Sequence, residues 1–255
     1  MTMIRLFVFD VDGTALPYGE AALSEAILAD LRALCDNGVR LAVASGRSAE
    51  SLRLLLRPLD RPVYIIAHDG AIAYEDGRAV YRRPITGEAV RAYFRAPQNK
   101  ERTLLFYGEN ATYIRHGNGD HAALADVCAP LTEIQSEYAL REPIYKVAAY
   151  GGSSGRPLPP DPCLRRTFRV DTAEEYVCAY ANKGTALSDL QTRLPVAVYD
   201  TAVAGDGRAD LPMFTRAALS FAPDGAPADI RDAAKITGSF ADFLAVLVKT
   251  TQNRL

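Results

Sequence analysis

Short apolar runs and helical spacings of Leu and Ile alternate over the first 66 positions of the chain. The runs have the character of strands that are buried on both faces of a sheet. The pattern predicts strands over 5–9, 39–44 and 63–66, with amphipathic helices over 23–34 and 52–56 between them. Asn37-Gly38 ends the first helix and Pro58 the second. This order of strands and helices predicts an α/β domain with a parallel sheet.

The pattern changes after Arg83-Pro84, where strands follow one another with short connections. It predicts helices over 86–95 and 119–130 and strands over 103–107, 111–115, 144–150 and 164–171, with a Gly- and Pro-rich loop over 151–160. From Lys183 onward the α/β alternation returns, with a helix through Leu194, a strand over 201–204 and a last helix from Phe240. We therefore predict one core in two pieces, 1–83 and 181–255, and an inserted α+β module with an antiparallel sheet, 84–180.

Composition narrows the class of protein. The 255 residues are 49% hydrophobic and carry a net charge of −2, which argues against a disordered chain and against a nucleic-acid partner. No apolar stretch approaches the roughly 20 residues that a membrane-spanning helix needs. Four scattered cysteines and an N-terminus without an export signal fit a cytoplasmic protein with no membrane partner. Sequence alone leaves monomer and homodimer open.

Four polar clusters follow predicted strands or open the helices beside them, at the edge where open α/β sheets build their sites. They are Asp10-Val-Asp12-Gly13-Thr14, Ser45-Gly46-Arg47-Ser48, Asn182-Lys183-Gly184 and Gly205-Asp206-Gly207-Arg208-Ala209-Asp210. Each has an ordinary explanation, since Asp and Gly are common in turns, Ser48 suits a helix N-cap and a lone lysine is usually solvated. Together they place the carboxylates of Asp10, Asp12, Asp206 and Asp210 at one sheet edge beside Lys183.

Carboxylates crowded at one edge repel each other unless a cation lies among them. Mg²⁺ is a hard cation that binds a few carboxylates together with water and phosphate oxygens. Ser45 offers a hydroxyl, Gly46 lets backbone N–H groups approach a ligand, and Lys183 supplies a positive charge, all of which suit a phosphoryl group. The clusters therefore predict phosphoryl transfer, with Mg²⁺ as cofactor and a small phosphorylated metabolite as partner.

A match to the dinucleotide-binding fingerprint lies in the insertion. Gly117-Asn-Gly119-Asp-His-Ala122 fits GxGxxA, follows a predicted strand and precedes a predicted helix. That strand belongs to a predicted antiparallel hairpin, whereas the fingerprint requires a parallel strand–helix–strand unit. We do not predict dinucleotide binding at this position.

The motif order DxDGT, SGR, insertion, NKG and GDGxxD resembles the haloacid dehalogenase superfamily of phosphatases, and within it the Cof-like group with a type-two, subclass B cap. All four motifs occur in order across the core, and the insertion lies where that cap belongs. The resemblance implies a Rossmann-like three-layer core with a parallel sheet, and an α+β cap over 84–180 that determines substrate specificity.

The resemblance also implies residue roles. Asp10 would be the nucleophile that forms an aspartyl-phosphate, and Asp12 would protonate the leaving alkoxide and then activate water. The phosphoryl group would be held by Thr14, Ser45, Gly46, Arg47 and Lys183, and Lys183 would act in catalysis by neutralising the nucleophile as well. Mg²⁺ would be bound by Asp10, the backbone carbonyl of Asp12 and Asp206, with Asp210 as a further ligand or a support for one. A carboxylate is an established covalent nucleophile, and nearby anionic charge can raise the pKa of an acid–base carboxyl.

The chain departs from the family pattern at two positions. Ala209 stands where relatives usually have Asn, and it cannot ligate the metal or orient its water. Asp69, in His68-Asp69-Gly70-Ala71, also stands where Asn is usual. It either adds a negative charge beside the cleft, where His68 could pair with it, or lies in a hairpin turn that tolerates both residues, and we favour the turn.

Our leading hypothesis is a Mg²⁺-dependent phosphatase that hydrolyses a small phosphomonoester, in particular a sugar phosphate. A sugar phosphomutase would use the same site, and Ala209 leaves open a phospholigand-binding protein with weakened catalysis. In the cap, Arg115, His116 and the loop over 151–160 are candidates for polar contact with the substrate, although we favour a solvated surface for each of them.

Overall fold

Two β-sheets organise the chain, and the computed structural model describes residues 3–118, 131–151, 161–170 and 172–252. In chain order the strands are β1 Leu6–Phe9, β2 Arg40–Ala44, β3 Val63–Ala67, β4 Ile72–Glu75, β5 Arg78–Arg82, β6 Thr103–Tyr107, β7 Thr112–Arg115, β8 Leu131–Glu133, β9 Lys146–Tyr150, β10 Leu164–Val170, β11 Ala173–Cys178, β12 Thr201–Ala204, β13 Leu219–Pro223 and β14 Ile236–Gly238. The described helices are α1 Glu25–Asp36, α2 Ala49–Leu56, α3 Gly87–Arg95, α4 Lys183–Arg193, α5 Leu211–Phe214, α6 Ala228–Ala233 and α7 Phe240–Gln252.

The first sheet has the order β14-β13-β12-β1-β2-β3-β4-β5. Its strands pair in parallel from β14 to β3, whereas β3, β4 and β5 pair antiparallel. The parallel part contains the three strands predicted from the first 66 residues, each in its predicted place. The antiparallel hairpin β4–β5 was not predicted, because each of its strands has only three consecutive apolar residues, which are followed by a charged one.

Helices cover both faces of this sheet, which makes three layers. Successive residues of β1 point to opposite faces. Phe7 and Phe9 pack in one cluster with residues of α1 and α7, while Leu6 and Val8 pack in another with residues of α4 and α6. Each of these four β1 side chains is fully buried, and burial of one such side chain contributes roughly 1.5–3 kcal/mol. The apolar run of β1 therefore makes it the central strand, with its carboxyl end fixed in place.

The second sheet has the order β10-β11-β9-β6-β7-β8. Its pairings are antiparallel as predicted, except that β8 runs parallel to β7. A parallel neighbour needs a long crossover, and the residues between β7 and β8 supply that length. The predicted helix over 119–130 and all but the first residue of the predicted loop over 151–160 lie outside the described residues. The GxGxxA match follows β7, which pairs antiparallel with β6 as predicted and parallel with β8, and the match lies outside the described residues from Gly119 onward.

Helix ends follow the expected capping chemistry. Ser24 and Ser48 accept hydrogen bonds from backbone N–H groups at the starts of α1 and α2, and Ser48 thus has its predicted role. Asn182 begins α4 with a reciprocal capping box to Thr185, which orients the first turn of that helix. None of the described helices combines the length and the apolar character that crossing a bilayer requires.

Candidate active site

The site lies where β1, β2 and β12 end side by side. β1 pairs with β12 on one side and with β2 on the other, so Asp10, Ser45 and Gly205 leave the sheet at the same edge. The Asp10 backbone N–H still donates to the Ala204 carbonyl at 2.9 Å. Topology therefore brings together residues that are almost 200 positions apart in the sequence, as the four polar clusters predicted.

The loop after β1 turns tightly around Gly13. Gly13 donates a backbone hydrogen bond to the Leu16 carbonyl at 2.9 Å, and its φ of +79° lies in the left-handed region that favours glycine. A Cβ atom here would also lie 2.1 Å from Asp206 Oδ2. The glycine of DxDGT is thus needed for two reasons: the backbone has a positive φ, and Asp206 lies too close to leave room for a Cβ.

Lys183 is the buried cation of the site. Its Nζ lies 2.7 Å from Asp10 Oδ1 and 2.7 Å from Asp210 Oδ1, and its side chain is 4% exposed. A lysine in the first turn of a helix is disfavoured by the helix dipole, and the two carboxylates compensate for that position. Burial alone would lower the pKa of Lys183, but the charges of Asp10 and Asp210 raise it, and the ammonium form is retained.

Three carboxylates face this one ammonium group. Asp10, Asp206 and Asp210 each offer an oxygen, and these oxygens lie within 4.8 Å of one another. Burial raises the pKa of Asp10 well above its usual range despite Lys183, and the charges of Asp210 and Asp206 raise it further. Burial likewise raises the pKa of Asp210. The group carries more negative charge than Lys183 neutralises, which is the electrostatic condition for binding a cation.

The donor set fits Mg²⁺. Its three members are hard carboxylate oxygens, from Asp10 directly after β1, Asp206 in the loop after β12 and Asp210 at the start of α5. With all three ionised, their charge together with Lys183 is −2, which a divalent ion would neutralise. Asp12 is not part of this group, because its carboxylate turns toward Arg47. The metal role that we predicted for Asp12 concerned its backbone carbonyl.

Two hydroxyl groups orient Asp206. Thr14 Oγ1 donates to Asp206 Oδ1 at 3.3 Å, and Tyr18 Oη donates to Oδ2 at 2.9 Å. Partial burial of the hydroxyl and the neighbouring Asp206 raise the pKa of Tyr18 to about 12. The predicted phosphate ligand Thr14 thus contacts a carboxylate of the site. Tyr18 was not predicted, since a tyrosine nine residues after a strand carries no signal of its own.

The SGR segment contributes a loop beside Asp12. Ser45 is 1% exposed, and its Oγ accepts a hydrogen bond from the Arg47 backbone N–H at 3.2 Å. The Arg47 guanidinium donates to both oxygens of Asp12, with Nε 2.9 Å from Oδ2 and Nη2 2.5 Å from Oδ1. Ser45, Gly46 and Arg47 therefore lie at the predicted edge, and Arg47 binds the proposed acid–base carboxylate.

The turn after β3 carries the second departure from the family pattern. His68 and Asp69 both have φ near +50° and both are buried in the turn that we favoured. The negative charge of Asp69, which was the alternative interpretation, also acts on Lys183 of the site. Burial, together with the charge of Lys146, lowers the pKa of His68 to about 3. His68 is therefore neutral, and among the described residues its Nδ1 has no hydrogen-bond partner.

Two polar residues of the inserted module were candidates for contact with the substrate. Arg115 donates to the backbone carbonyls of Phe94, Asn99 and Arg102, so it connects segments of the module. His116 Nε2 lies 3.3 Å from Glu133 Oε1 at the surface. Lys146 was missed, although it is the residue of β9 that reaches the core loop at Gly46. A single lysine in an apolar strand gave no sign of that contact.

Comparisons with known proteins agree with this geometry. A sequence profile of the haloacid dehalogenase-like hydrolases matches residues 7–153 and 173–247. A putative phosphatase of Mycoplasma genitalium is 25% identical over 112 residues, which span 43% of this chain and 40% of that protein. That alignment thus covers less than half of either chain.

Solved structures share the fold over nearly the whole length. A protein of Eubacterium rectale superposes with a TM-score of 0.85 at 19% identity, covering 99% of this chain and 100% of that one. A haloacid dehalogenase-like hydrolase of Bacteroides thetaiotaomicron gives a TM-score of 0.81 at 17% identity, covering 99% and 100%. These likenesses confirm the predicted fold class, a parallel α/β sheet accompanied by a separate antiparallel sheet.

Proposed function

Since this chain belongs to the haloacid dehalogenase-like hydrolases, we propose that it is a Mg²⁺-dependent phosphatase of small phosphomonoesters, in particular sugar phosphates, and that it acts through an aspartyl-phosphate. The observation that carries this proposal is the position of Asp10. Its carboxylate is buried at the end of the central strand, bound to Lys183 at 2.7 Å and grouped with Asp206 and Asp210. A carboxylate held in this way is a suitable nucleophile for phosphorus.

The first half of the reaction is a transfer to Asp10. Lys183 engages Oδ1, which leaves Oδ2 to form a bond with phosphorus while the bond from phosphorus to the alkoxide oxygen breaks. Asp12 in its acid form gives its proton to the departing alkoxide. Lys183, with Ser45 and the backbone of the SGR loop, binds the phosphoryl oxygens, whose charge must be held during transfer.

The second half returns the enzyme to its starting state. Asp12, now a carboxylate, accepts a proton from water, and the water oxygen bonds to phosphorus as the Asp10–phosphorus bond breaks. Orthophosphate and free Asp10 result. Asp10, Asp206 and Asp210 would hold Mg²⁺ with the Asp12 carbonyl, and the ion would neutralise negative charge on the phosphoryl group.

The inserted module favours small substrates. Its β9 reaches the core loop at Gly46, and Arg165 of β10 donates to the Ala181 carbonyl just before the motif of Lys183. A module that contacts the site loops from above limits the size of the leaving group and keeps bulk water away during transfer. Sugar phosphates are small enough for such a site, and their hydroxyl groups can form hydrogen bonds with polar side chains.

A screen for orthophosphate release over a panel of phosphorylated metabolites, with and without Mg²⁺, tests this proposal. We expect hydrolysis of a subset of sugar phosphates that requires Mg²⁺ and stops with chelator. Isomerised product without orthophosphate would instead indicate a phosphomutase. Tight binding of a phosphosugar with turnover equal to background at saturating Mg²⁺ would indicate a phospholigand-binding protein. Ala209 is the sequence feature that leaves this alternative open.

A further inference from the structure

Lys146 of the inserted sheet is buried against the core. It lies on β9, its side chain is 7% exposed, and its Nζ donates to the Gly46 carbonyl at 3.0 Å. Gly46 belongs to the SGR loop, next to Ser45. One side chain of the insertion therefore contacts the backbone of the loop that we propose binds the phosphoryl group.

Acidic groups of both the insertion and the core lie near this lysine. Glu175 of β11 forms an ion pair with Nζ, and the ring of Tyr107 on β6 lies under it at 5.6 Å from the ring centroid. From the core, the carboxylate of Asp69 attracts it. Burial alone would lower the pKa of Lys146, but Glu175, Tyr107 and Asp69 together raise it above its ordinary value. The lysine is therefore a buried cation with partners on both sides of the boundary.

Asp69 is hydrogen-bonded to the same loop from the core side. Its backbone N–H donates to the Ser45 carbonyl at 2.9 Å, and its Oδ2 lies 3.2 Å from the point where a Cβ of Gly46 would stand. The charge of Asp69 also acts on Lys183 in the core and on Arg165 in the insertion. Asp69 thus provides a negative charge at the point where the insertion meets the SGR loop.

Separating the insertion from the core would break part of the contacts of Lys146. Lys146 would lose the Gly46 carbonyl and the charge of Asp69, and would keep Glu175 and Tyr107, which move with it. A hydrogen bond from a charged donor contributes more than a neutral one, and its loss leaves the Gly46 carbonyl without its cationic partner. The position of the insertion and the geometry of the SGR loop are therefore coupled through the Lys146 side chain.

We propose that Lys146 is a positioning residue: it ties the inserted sheet to the loop that carries Ser45 and Gly46, and Asp69 is the core charge that draws it there. The coupling between sheet and loop stands on the contacts themselves. Its effect on catalysis rests on the proposed phosphatase function. Docking of the insertion then places the phosphoryl-binding loop in its working conformation, and undocking relaxes that loop.

Amide hydrogen exchange of residues 45–47 tests the coupling without any substrate. The variant is Lys146→Met with Glu175→Gln, which removes the cation without leaving a buried carboxylate unpaired. We expect exchange at 45–47 to become about tenfold faster, as the loss of one charged hydrogen bond implies. The matched control is Arg102→Met with Glu174→Gln, another buried ion pair of the same sheet, whose arginine also donates to the Ala149 and Gly151 carbonyls and not to the core.

Equal exchange at 45–47 in the wild type and the Lys146 variant, or an equal acceleration in the Arg102 control, would overturn the proposal. Should the double variant fail to fold, Asp69→Asn provides the same test, since it removes the core charge and alters a single side-chain atom. That variant should accelerate exchange at 45–47 to a smaller degree, and unchanged exchange there would also contradict the proposal.

Kinetics then separate positioning from general destabilisation. For the best phosphomonoester of the wild type, the Lys146 variant should raise KM about tenfold with a smaller change in kcat, because the loop must be reordered on binding. The Arg102 control should leave KM unchanged. A wild-type protein that hydrolyses no phosphomonoester would refute the phosphatase function alone, because the exchange measurement tests the coupling independently.

Discussion

Arg47 binds both carboxylate oxygens of Asp12, at 2.9 Å through Nε and at 2.5 Å through Nη2. The two side chains come from neighbouring strand ends and are each about one third or more exposed, so substrate can reach them. A planar guanidinium that donates two parallel hydrogen bonds fixes the orientation of a carboxylate as well as its position. The residue proposed to carry the proton is thus held in place by a residue predicted to bind the phosphoryl group.

Replacing Arg47 by Lys should lower kcat/KM about tenfold, or about 1.4 kcal/mol of transition-state stabilisation, because an ammonium cannot reproduce the two-point contact. Steady-state kinetics on the best substrate measure the effect. Arg53→Lys is the control, since Arg53 forms a surface pair with Glu50 on the same helix. Equal kcat/KM for Arg47→Lys and the wild type would show that the orientation of Asp12 does not limit the reaction.

Gly13→Ala should weaken Mg²⁺ binding in addition to lowering stability. A residue with a Cβ at φ +79° costs about 1–2 kcal/mol, and here the Cβ would also displace Asp206. Gly38→Ala is matched for the backbone, with φ +81° and open space around the Cβ. Both variants should lose stability in denaturant unfolding, and calorimetric titration should show weaker Mg²⁺ binding only for Gly13→Ala. Identical Mg²⁺ affinities of the two variants would contradict a role of Asp206 in the metal site.

The sequence predicted the strands and residues of the site more completely than the contacts among them. β1, β2, β3 and β12 are apolar runs buried on both faces, and such runs also specify which polar residues follow at the sheet edge. Lys183 was found because a lysine is unfavourable at a helix start.

The remaining elements and contacts depend on tertiary structure that no local pattern records. β11, with its sequence AEEYVC, β13 with a terminal proline and the three-residue β14 lack the length or periodicity that marks a strand. Tyr18 and Lys146 act through partners about 190 and 100 positions away. The burial of His68 and Asp69 follows from close packing at the boundary of the two sheets.

Replacing His68 by Asn should make the free energy of unfolding depend less steeply on pH in mild acid. The unfolded chain binds a proton at His68 near pH 6.5, while the folded protein binds it only near pH 3, so stability is lost as the pH falls through this range. Protonation of His68 alone lowers the free energy of unfolding by about 1.4 kcal/mol per pH unit in this range. Asparagine tolerates the positive φ of this position and does not titrate.

Denaturant unfolding at several values between pH 6.5 and pH 4 measures this slope for the wild type and the variant. A slope for His68→Asn that equals that of the wild type would contradict the burial of a neutral imidazole at this position.

Mg²⁺ should stabilise the folded protein, because only the folded chain brings Asp10, Asp206 and Asp210 together. At a concentration of about 100 times Kd the gain is about 2.7 kcal/mol, which thermal unfolding detects as a higher Tm. Asp206→Asn should reduce the shift, and Asp229→Asn at the surface should retain it. The same Tm in Mg²⁺ and in chelator for the wild type would argue against a divalent cation at these carboxylates.

The role of Asp10 as nucleophile is the central claim, and Asp10→Asn tests it most directly. The amide is nearly the same size and its oxygen can still accept from Lys183, so the fold should persist, as circular dichroism can verify. Orthophosphate release from the best phosphomonoester in saturating Mg²⁺ should fall at least about a thousandfold, because the amide cannot form the acyl phosphate. Release within a few-fold of the wild-type rate would contradict covalent catalysis by Asp10, and with it this account of the site.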